Sequence, residues 1–330
     1  MTGSPSARGK TLRDRLVPLG FLALVIVISI TVRIRLLNVP LERDEGEHAY
    51  MAQTLLAGYA PWQLAYNLKL PGTDAMYALW MGLFGQTAAA IRLGLLLTNL
   101  ATVLLLTMIG RRLFGTVAGA ATGASYGILS LGQGIFGTIA HSTQYVAFFA
   151  VLATWLLLRA GESWRRIFLT GFVYGLSFLA KQPGICFAGF GAAFLAWRAR
   201  DRDISAMVSR LAIFFTAVAI PWLLVCLVVW RGGTFGRFWF WTVTLSRAFA
   251  GQFTLAARLE FLRQNIAAVT GTDVFLWILA ALGLAAACWN SLTRRSALFT
   301  GAFLVFSFCS VALGGAFTPH YFVTMLPAVA

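Results

Sequence analysis

Residues Leu16 to Met51 read LVPLGFLALVIVISITVRIRLLNVPLERDEGEHAYM. Leu16 to Val32 carries no charge and is long enough to cross a bilayer, which takes about 20 mostly apolar residues. The last part, Leu41 to Met51, packs Glu42, Asp44, Glu45 and Glu47 together with Arg43 and His48. The stretch reads as a membrane helix that delivers a knot of ionisable groups to its far end. Basic residues precede the apolar run, as in a signal peptide, but Arg33-Ile34-Arg35 follows it instead of a small-x-small cleavage site. The expected element is an uncleaved first transmembrane helix.

The whole chain has the same character. Of its 330 residues, 59% are hydrophobic and 11% charged, against about 25% charged in soluble domains. The expected fold class is all-α, a polytopic transmembrane helical protein. Nine spans are predicted near 16–37, 88–110, 115–134, 142–159, 167–180, 184–197, 211–230, 272–290 and 296–315. The fifth and sixth are short and separated only by Lys181-Gln182-Pro183-Gly184, as in a tilted or broken pair. Residues 1–330 form a single transmembrane domain with long outer loops at 38–87 and 231–271. Tyr321 to Ala330 is apolar but too short to span, so either the last helix is partial or the sequence is a fragment.

The net charge of +15 does not point to nucleic acid. The basic residues fall in short clusters between apolar runs, which is how membrane orientation is encoded. With a cytoplasmic N-terminus, the inner side gathers Arg8, Lys10, Arg13, Arg15, Arg111, Arg112, Arg159, Arg165, Arg166, Arg198, Arg200, Arg202, Arg210, Arg294 and Arg295. The outer side then holds Glu42, Asp44, Glu45, Glu47, Asp74, Glu260 and Asp273, with His48, His141 and His320. Cys186, Cys226, Cys288 and Cys309 lie inside apolar runs and read as small core residues. In the second long loop, RGGTFGRFWFW suits the headgroup level. Leu255, Leu259, Leu262 and Ile266 follow at helical spacing, opposed by Arg258, Arg263 and Gln264. This reads as an amphipathic helix lying on the outer surface.

Asp44, Glu47 and His48 stand at i, i+3 and i+4 and share one helical face. Part of this is ordinary helix initiation, with Asp44 as cap and Glu47 reaching back as in a capping box. That accounts for two acids and not for four beside a histidine at a lipid boundary, where ionisable groups mark function. Lys69 sits just before Pro71-Gly72, a cation held at the start of a new helix and suited to a phosphate. A lysine snorkelling to the interface has the same pattern. Lys181 repeats it before Pro183-Gly184.

These pieces resemble the GT-C type polytopic glycosyltransferases, in particular protein O-mannosyltransferase-like and aminoarabinose-transferase-like bacterial enzymes that use polyprenyl-phosphate sugars. The matching stretches are RDEGEHAYMAQTLLAGYAPW, KLPGTDAMYALWMGLFG followed by AAIRL, GLSFLAKQPG, and PHYFVTMLPA. Each is loose alone, but they stand in the family's order from Arg43 to the C-terminus. The resemblance implies an outward-facing cavity in the cell membrane. Asp44 is the implied catalytic base, grouped with Glu45 and Glu47. Lys69 is the implied partner of the lipid phosphate, and His48, Tyr50, Lys181 and His320 join it on the substrate-binding side. The donor would be a polyprenyl-phosphate-linked sugar and the acceptor a lipid, glycan or protein hydroxyl. Two departures stand out: Lys69-Leu70-Pro71 replaces the usual Lys-Pro-Pro, and His141 stands where many members carry an acid. Three histidines scattered along a chain seldom converge, so no cofactor is expected, with a divalent metal as the alternative. The rival readings are a carrier or flippase for lipid-linked sugars, which needs a path open to both sides, and a non-catalytic membrane subunit, which needs no shared pocket for Asp44 and Lys69.

Overall fold

The computed structural model describes residues 12–200 and 203–330. Arg8, Lys10 and Arg202, and the side chains of Arg13 and Arg15, lie outside the described residues. Among the described residues the chain is helical, without a strand.

The apolar run that opens the chain forms α1 (Leu12–Arg35). The first long loop contributes α2 (Arg43–Leu56) and α3 (Gly72–Phe84). Then come α4 (Ala88–Phe114), α5 (Thr116–Leu129), α6 (Ser142–Ala160), α7 (Trp164–Ala180), α8 (Ile185–Ala199) and α9 (Ile204–Arg231). The second loop folds as α10 (Phe235–Trp239), a π-helical turn Phe240–Leu245, α11 (Ser246–Gly251) and α12 (Leu255–Thr270). After α13 (Val274–Trp289) and α14 (Arg294–Ala312), a 3₁₀ segment Pro319–Met325 leads into α15 (Leu326–Val329).

A helix stands at each of the nine expected spans. Five of them, α1, α4, α6, α9 and α14, are long and apolar enough to cross a membrane, and α12 with α13, bent by 101°, makes a sixth if taken as one span. The other expected spans are shorter helices: α5 has 14 residues, α7 has 17 and α8 has 15. The predicted third span of 115–134 ends early, at Leu129, because residues 130–141 turn back instead. This is an integral membrane protein.

α6 is the central post. Its Val146, Ala147, Ala150, Val151, Ala153 and Leu157 are all fully buried. Small residues let its neighbours close in, as they do between membrane helices. A Cβ on Gly171 or Gly175 of α7 would lie 2.4 or 2.5 Å from a backbone oxygen of α9, Phe214 O or Val218 O. By contrast α1, α9 and α13 turn large apolar side chains outward, Val27, Leu224 and Leu282 among them. This inverted pattern is that of helices whose solvent is lipid.

The amphipathic helix of the second loop is α12. Leu255, Leu259 and Ile266 are exposed, while Leu262 packs inward on the core. Arg258 donates to Ala250 O and Phe253 O, and Arg263 and Gln264 both hold Glu260.

Two buried arginines fasten the turn after α5. Arg33, at the end of α1, donates to Ser130 O at 2.8 Å and Gly137 O at 3.2 Å. Arg92, near the start of α4, reaches Thr138 O at 3.4 Å. A cation over the last carbonyls of a helix is favourable there. The result is a rigid approach to His141, the residue that caps α6.

Candidate active site

α2 starts two residues earlier than the Asp44–Glu47 capping box expected. Glu42 is the N-cap: its carboxylate accepts from Asp44 N at 2.7 Å, and Glu45 Oε2 accepts from Glu42 N at 3.0 Å. Asp44 and Glu47 are thereby released from capping.

Glu45 does not meet Lys69 as Asp44 and Glu47 do, contrary to its placement with the catalytic group. It is fully buried, takes Arg92 Nη2 at 2.8 Å and accepts from Ala140 N at 2.8 Å. It is a strut that ties α2 to α4 and to the turn before α6. His48 is likewise no substrate ligand in this arrangement. Its ring is fully buried, with Nδ1 2.6 Å from Asp74 Oδ1 on α3 and Nε2 2.9 Å from Ser142 Oγ on α6. Serine, imidazole and carboxylate are in series as in a hydrolase triad, but all three are buried, so they act as a clamp. Tyr50 is exposed, about 120° around α2 from Asp44, and is not placed to join it.

Asp44 instead joins a cluster of ionisable groups. Its Oδ2 lies 3.0 Å from Lys69 Nζ and 3.7 Å from His141 Nδ1, with Arg43 at 3.4 Å from Oδ1. Burial pushes its pKa up, but the Lys69 ammonium outweighs this and holds the carboxyl well below the usual range. Lys69 also meets Glu47 Oε2 at 3.2 Å. Burial pulls Lys69 down, and the two carboxylates more than restore it, so it stays charged.

Lys69 is held by its own loop. Its amide donates to Asn67 Oδ1 at 2.8 Å, and Leu68 O accepts from Gln182 Nε2 at 2.6 Å and Ser246 Oγ at 2.9 Å. At the next helix start, a Cβ on Gly72 would lie 2.5 Å from Leu179 C, so only glycine lets α3 meet the end of α7 here. Thr73 Oγ1 donates to Ala180 O at 2.9 Å across the same joint. The joint sets Lys181, the C-cap of α7, beside Lys69.

Lys181 is buried, and its ammonium lies 3.9 Å above the Tyr321 ring, a cation–π contact. Burial first, and then the Lys69 charge, lower its pKa to about 7. His320 of the C-terminal 3₁₀ segment stacks on His141 with centroids 4.2 Å apart and planes at 11°. Burial lowers His141 to about 4 and His320 to about 2, so both rings are neutral at pH 7.

The structure thus brings Asp44, Glu47, Lys69, Lys181, His320 and His141 together, and leaves out Glu45, His48 and Tyr50. His141 and Tyr321 are the additions that sequence reasoning missed: His141 stood out only as a departure from the usual acid, and Tyr321 only by adjacency to His320. The three histidines do not meet as one set, because His48 is clamped elsewhere. Instead Asp44, His141 and His320 each offer a donor atom, all within 4.8 Å of one another. Two imidazoles and a carboxylate suit zinc and its neighbours better than magnesium. A separate apolar cavity of about 640 Å³ is lined by Leu106, Val151, Trp277 and Phe303 among others, and none of the site residues line it.

Residues 69–230 match the family model of dolichyl-phosphate-mannose-protein mannosyltransferases. No curated protein matches the chain. Among solved structures, the chain is similar to ArnT from Cupriavidus metallidurans bound to undecaprenyl phosphate, at 19% identity and TM-score 0.66 over 94% of this chain and 58% of that one. It is also similar to the oligosaccharyltransferase of Archaeoglobus fulgidus in complex with Zn and sulfate, at 15% identity and TM-score 0.62 over 94% of this chain and 48% of that one. The oligosaccharyltransferase AglB from the same organism, in complex with an inhibitory peptide and a dolichol-phosphate, aligns at 14% identity and TM-score 0.58, covering 96% of this chain and 50% of that one. The chain therefore spans about half the length of these relatives. Its helices, from the first long apolar run to the 3₁₀ segment that carries His320, follow the fold of the GT-C type polytopic membrane glycosyltransferases.

Proposed function

We propose that this chain transfers a sugar from a polyprenyl-phosphate donor to an acceptor hydroxyl, at the end of the bundle that carries Asp44. The observation that carries the reading is the 3.0 Å pairing of Asp44 with Lys69. A non-catalytic subunit has no need of it. The arginine clusters at the opposite ends of α4, α6 and α8 support a cytoplasmic face there, with the pocket on the outer face of the cell membrane. The match to a mannosyltransferase family model and the lipid phosphates held by ArnT and AglB support the donor class.

The pairing also suggests an order of events. In the resting site Lys69 neutralises Asp44, and a carboxylate held this far down is a weak base. An arriving donor phosphate competes for Lys69, with Lys181 as a second cation. Freed of Lys69, Asp44 returns toward its ordinary basicity. It takes the acceptor proton while the acceptor oxygen bonds to the anomeric carbon and the carbon–oxygen bond to phosphate breaks. The departing phosphate carries its new charge onto Lys69 and Lys181. General-base help of this kind is worth about 10²–10⁴ in rate, and preorganised cations add several kcal/mol. One base and no covalent intermediate give inversion at the sugar carbon.

The test is a panel of radiolabelled polyprenyl-phosphate sugars incubated with membranes containing the chain or its Asp44→Asn variant. Label should move to an acceptor only with the unaltered chain, although both fold. Full transfer by Asp44→Asn would remove Asp44 as the base. No transfer from any donor would remove the reading.

A further inference from the structure

We propose that the buried cluster of Arg33, Asn99 and Ser130, where α1, α4 and the end of α5 meet, binds a chloride ion that holds the turn leading to His141. The site is independent of the function proposed above.

Three buried atoms carry it. Arg33 Nε, Arg33 Nη1 and Asn99 Nδ2 are shielded from solvent and have no hydrogen-bond partner among the described residues. Arg33 is 3% exposed and Asn99 2%. Both side chains grip one residue: Arg33 Nη2 donates to Ser130 O at 2.8 Å, and Ser130 Oγ donates to Asn99 Oδ1 at 3.2 Å. Guanidinium and carboxamide nitrogens donate and do not accept. The acceptors around Ser130 are engaged with other groups. Gly127 O accepts from Ser29 Oγ at 3.3 Å, and Gly137 O accepts from Arg33 Nη2 at 3.2 Å and Gln144 Nε2 at 3.0 Å. The cluster has N–H groups to spare and lacks lone pairs to meet them.

Charge points the same way. Arg92, which holds the same turn, has the Glu45 carboxylate at 2.8 Å. Arg33 pairs with no carboxylate among the described residues. The dipole at the end of α5 offsets about half a unit of its charge, and a buried guanidinium needs the rest matched. Water would accept hydrogen bonds, but it brings no charge and must place hydrogens of its own. An anion supplies both the charge and the lone pairs. The cluster is closed, with Ser130 only 1% exposed, so the fitting anion is small, monovalent and able to accept from any direction, as chloride is. Entry is short, because Arg33 stands two residues from the end of α1, beside the exposed Ile34 and Arg35. Bound there, the ion ties α1 and α4 to the turn that ends at His141.

The experiment uses the full chain in detergent micelles, exchanged into sodium gluconate and titrated with sodium chloride at constant ionic strength. The melting temperature should rise saturably, by at least ~3 °C once chloride reaches about ten times its dissociation constant. Amides of residues 130–141 should exchange hydrogen faster in gluconate than in chloride. Crystals grown in bromide should show one anomalous peak between Arg33 and Asn99. Asn99→Asp, which places a carboxylate in the cluster, should abolish the chloride response while melting in gluconate no lower than the unaltered chain. Arg33→Met should abolish the response as well; Asn99→Asp retains the arginine, so a folding defect in Arg33→Met leaves the site testable. A melting temperature indifferent to chloride, a response that survives Asn99→Asp, or ordered water without bromide at the cluster would overturn the site. No turnover is measured, so neither outcome bears on the transferase reading.

Discussion

Replacing Glu45 with alanine should cost the fold far more than it costs the chemistry. Its carboxylate is fully buried and satisfies Arg92 Nη2 at 2.8 Å, Ala140 N at 2.8 Å and Glu42 N at 3.0 Å. Removing one partner of a buried ion pair strands the other, at about 3–5 kcal/mol. The orphaned Ala140 N–H adds about 1–3 kcal/mol. Together, about 4–8 kcal/mol is a large share of the roughly 5–15 kcal/mol that holds a typical protein folded. Glu45→Leu with Arg92→Met removes both charges and leaves chiefly the orphan amide, so the double variant should recover about 3–5 kcal/mol relative to Glu45→Ala. Unfolding by denaturant in mild detergent micelles, followed by circular dichroism, measures both. If Glu45→Ala unfolds within about 1 kcal/mol of the unaltered chain and yet transfers no sugar, Glu45 is a reacting group and the strut assignment is wrong.

Lys181 releases its proton near pH 7 in the ligand-free pocket, so kcat/KM for the donor should fall as pH rises through about 7. Lys181→Arg, whose charge persists, should flatten that fall; an unchanged profile would remove Lys181 from phosphate binding. Below its ordinary value and above pH 7 the unfolded chain holds this proton and the folded chain does not, so the stability of the ligand-free protein should rise with pH across that window, read as melting temperature. His48→Phe strands Asp74 and Ser142, each at about 1–3 kcal/mol, and should lower kcat with little change in donor KM, since the clamp sets Asp44 against His141 without touching the donor. Unaltered stability in that variant would refute the clamp.

The long helices α1, α4, α6, α9 and α14 were legible because apolar runs of sufficient length admit few other solutions. The end of α5 was not. Residues 130–141 break with Gly132, Gly134 and Gly137, and the turn is held by a pair of arginines on α1 and α4 that the sequence offers only as flanking charges. The acid cluster drew attention to the correct stretch, yet the roles within it were redistributed. Glu42 took the cap, Glu45 the strut and His48 the clamp, which left Asp44 and Glu47 for the pocket. Periodicity places residues on a face, but it does not say which neighbour will meet that face. The same limit hid the meeting of His141 and His320 with Asp44, because three elements distant in sequence converge there only through the packing around α6.

The cap at Glu42 has a further implication for how such a chain can change. Because another residue starts the helix, Asp44 carries no architectural duty, and one nucleotide change to asparagine or glycine would silence the reaction without disturbing assembly. Lys69 and Lys181 would survive that change. A descendant of this kind would be a membrane receptor for phosphorylated lipids, inert as a catalyst and indistinguishable in outline from its working ancestor.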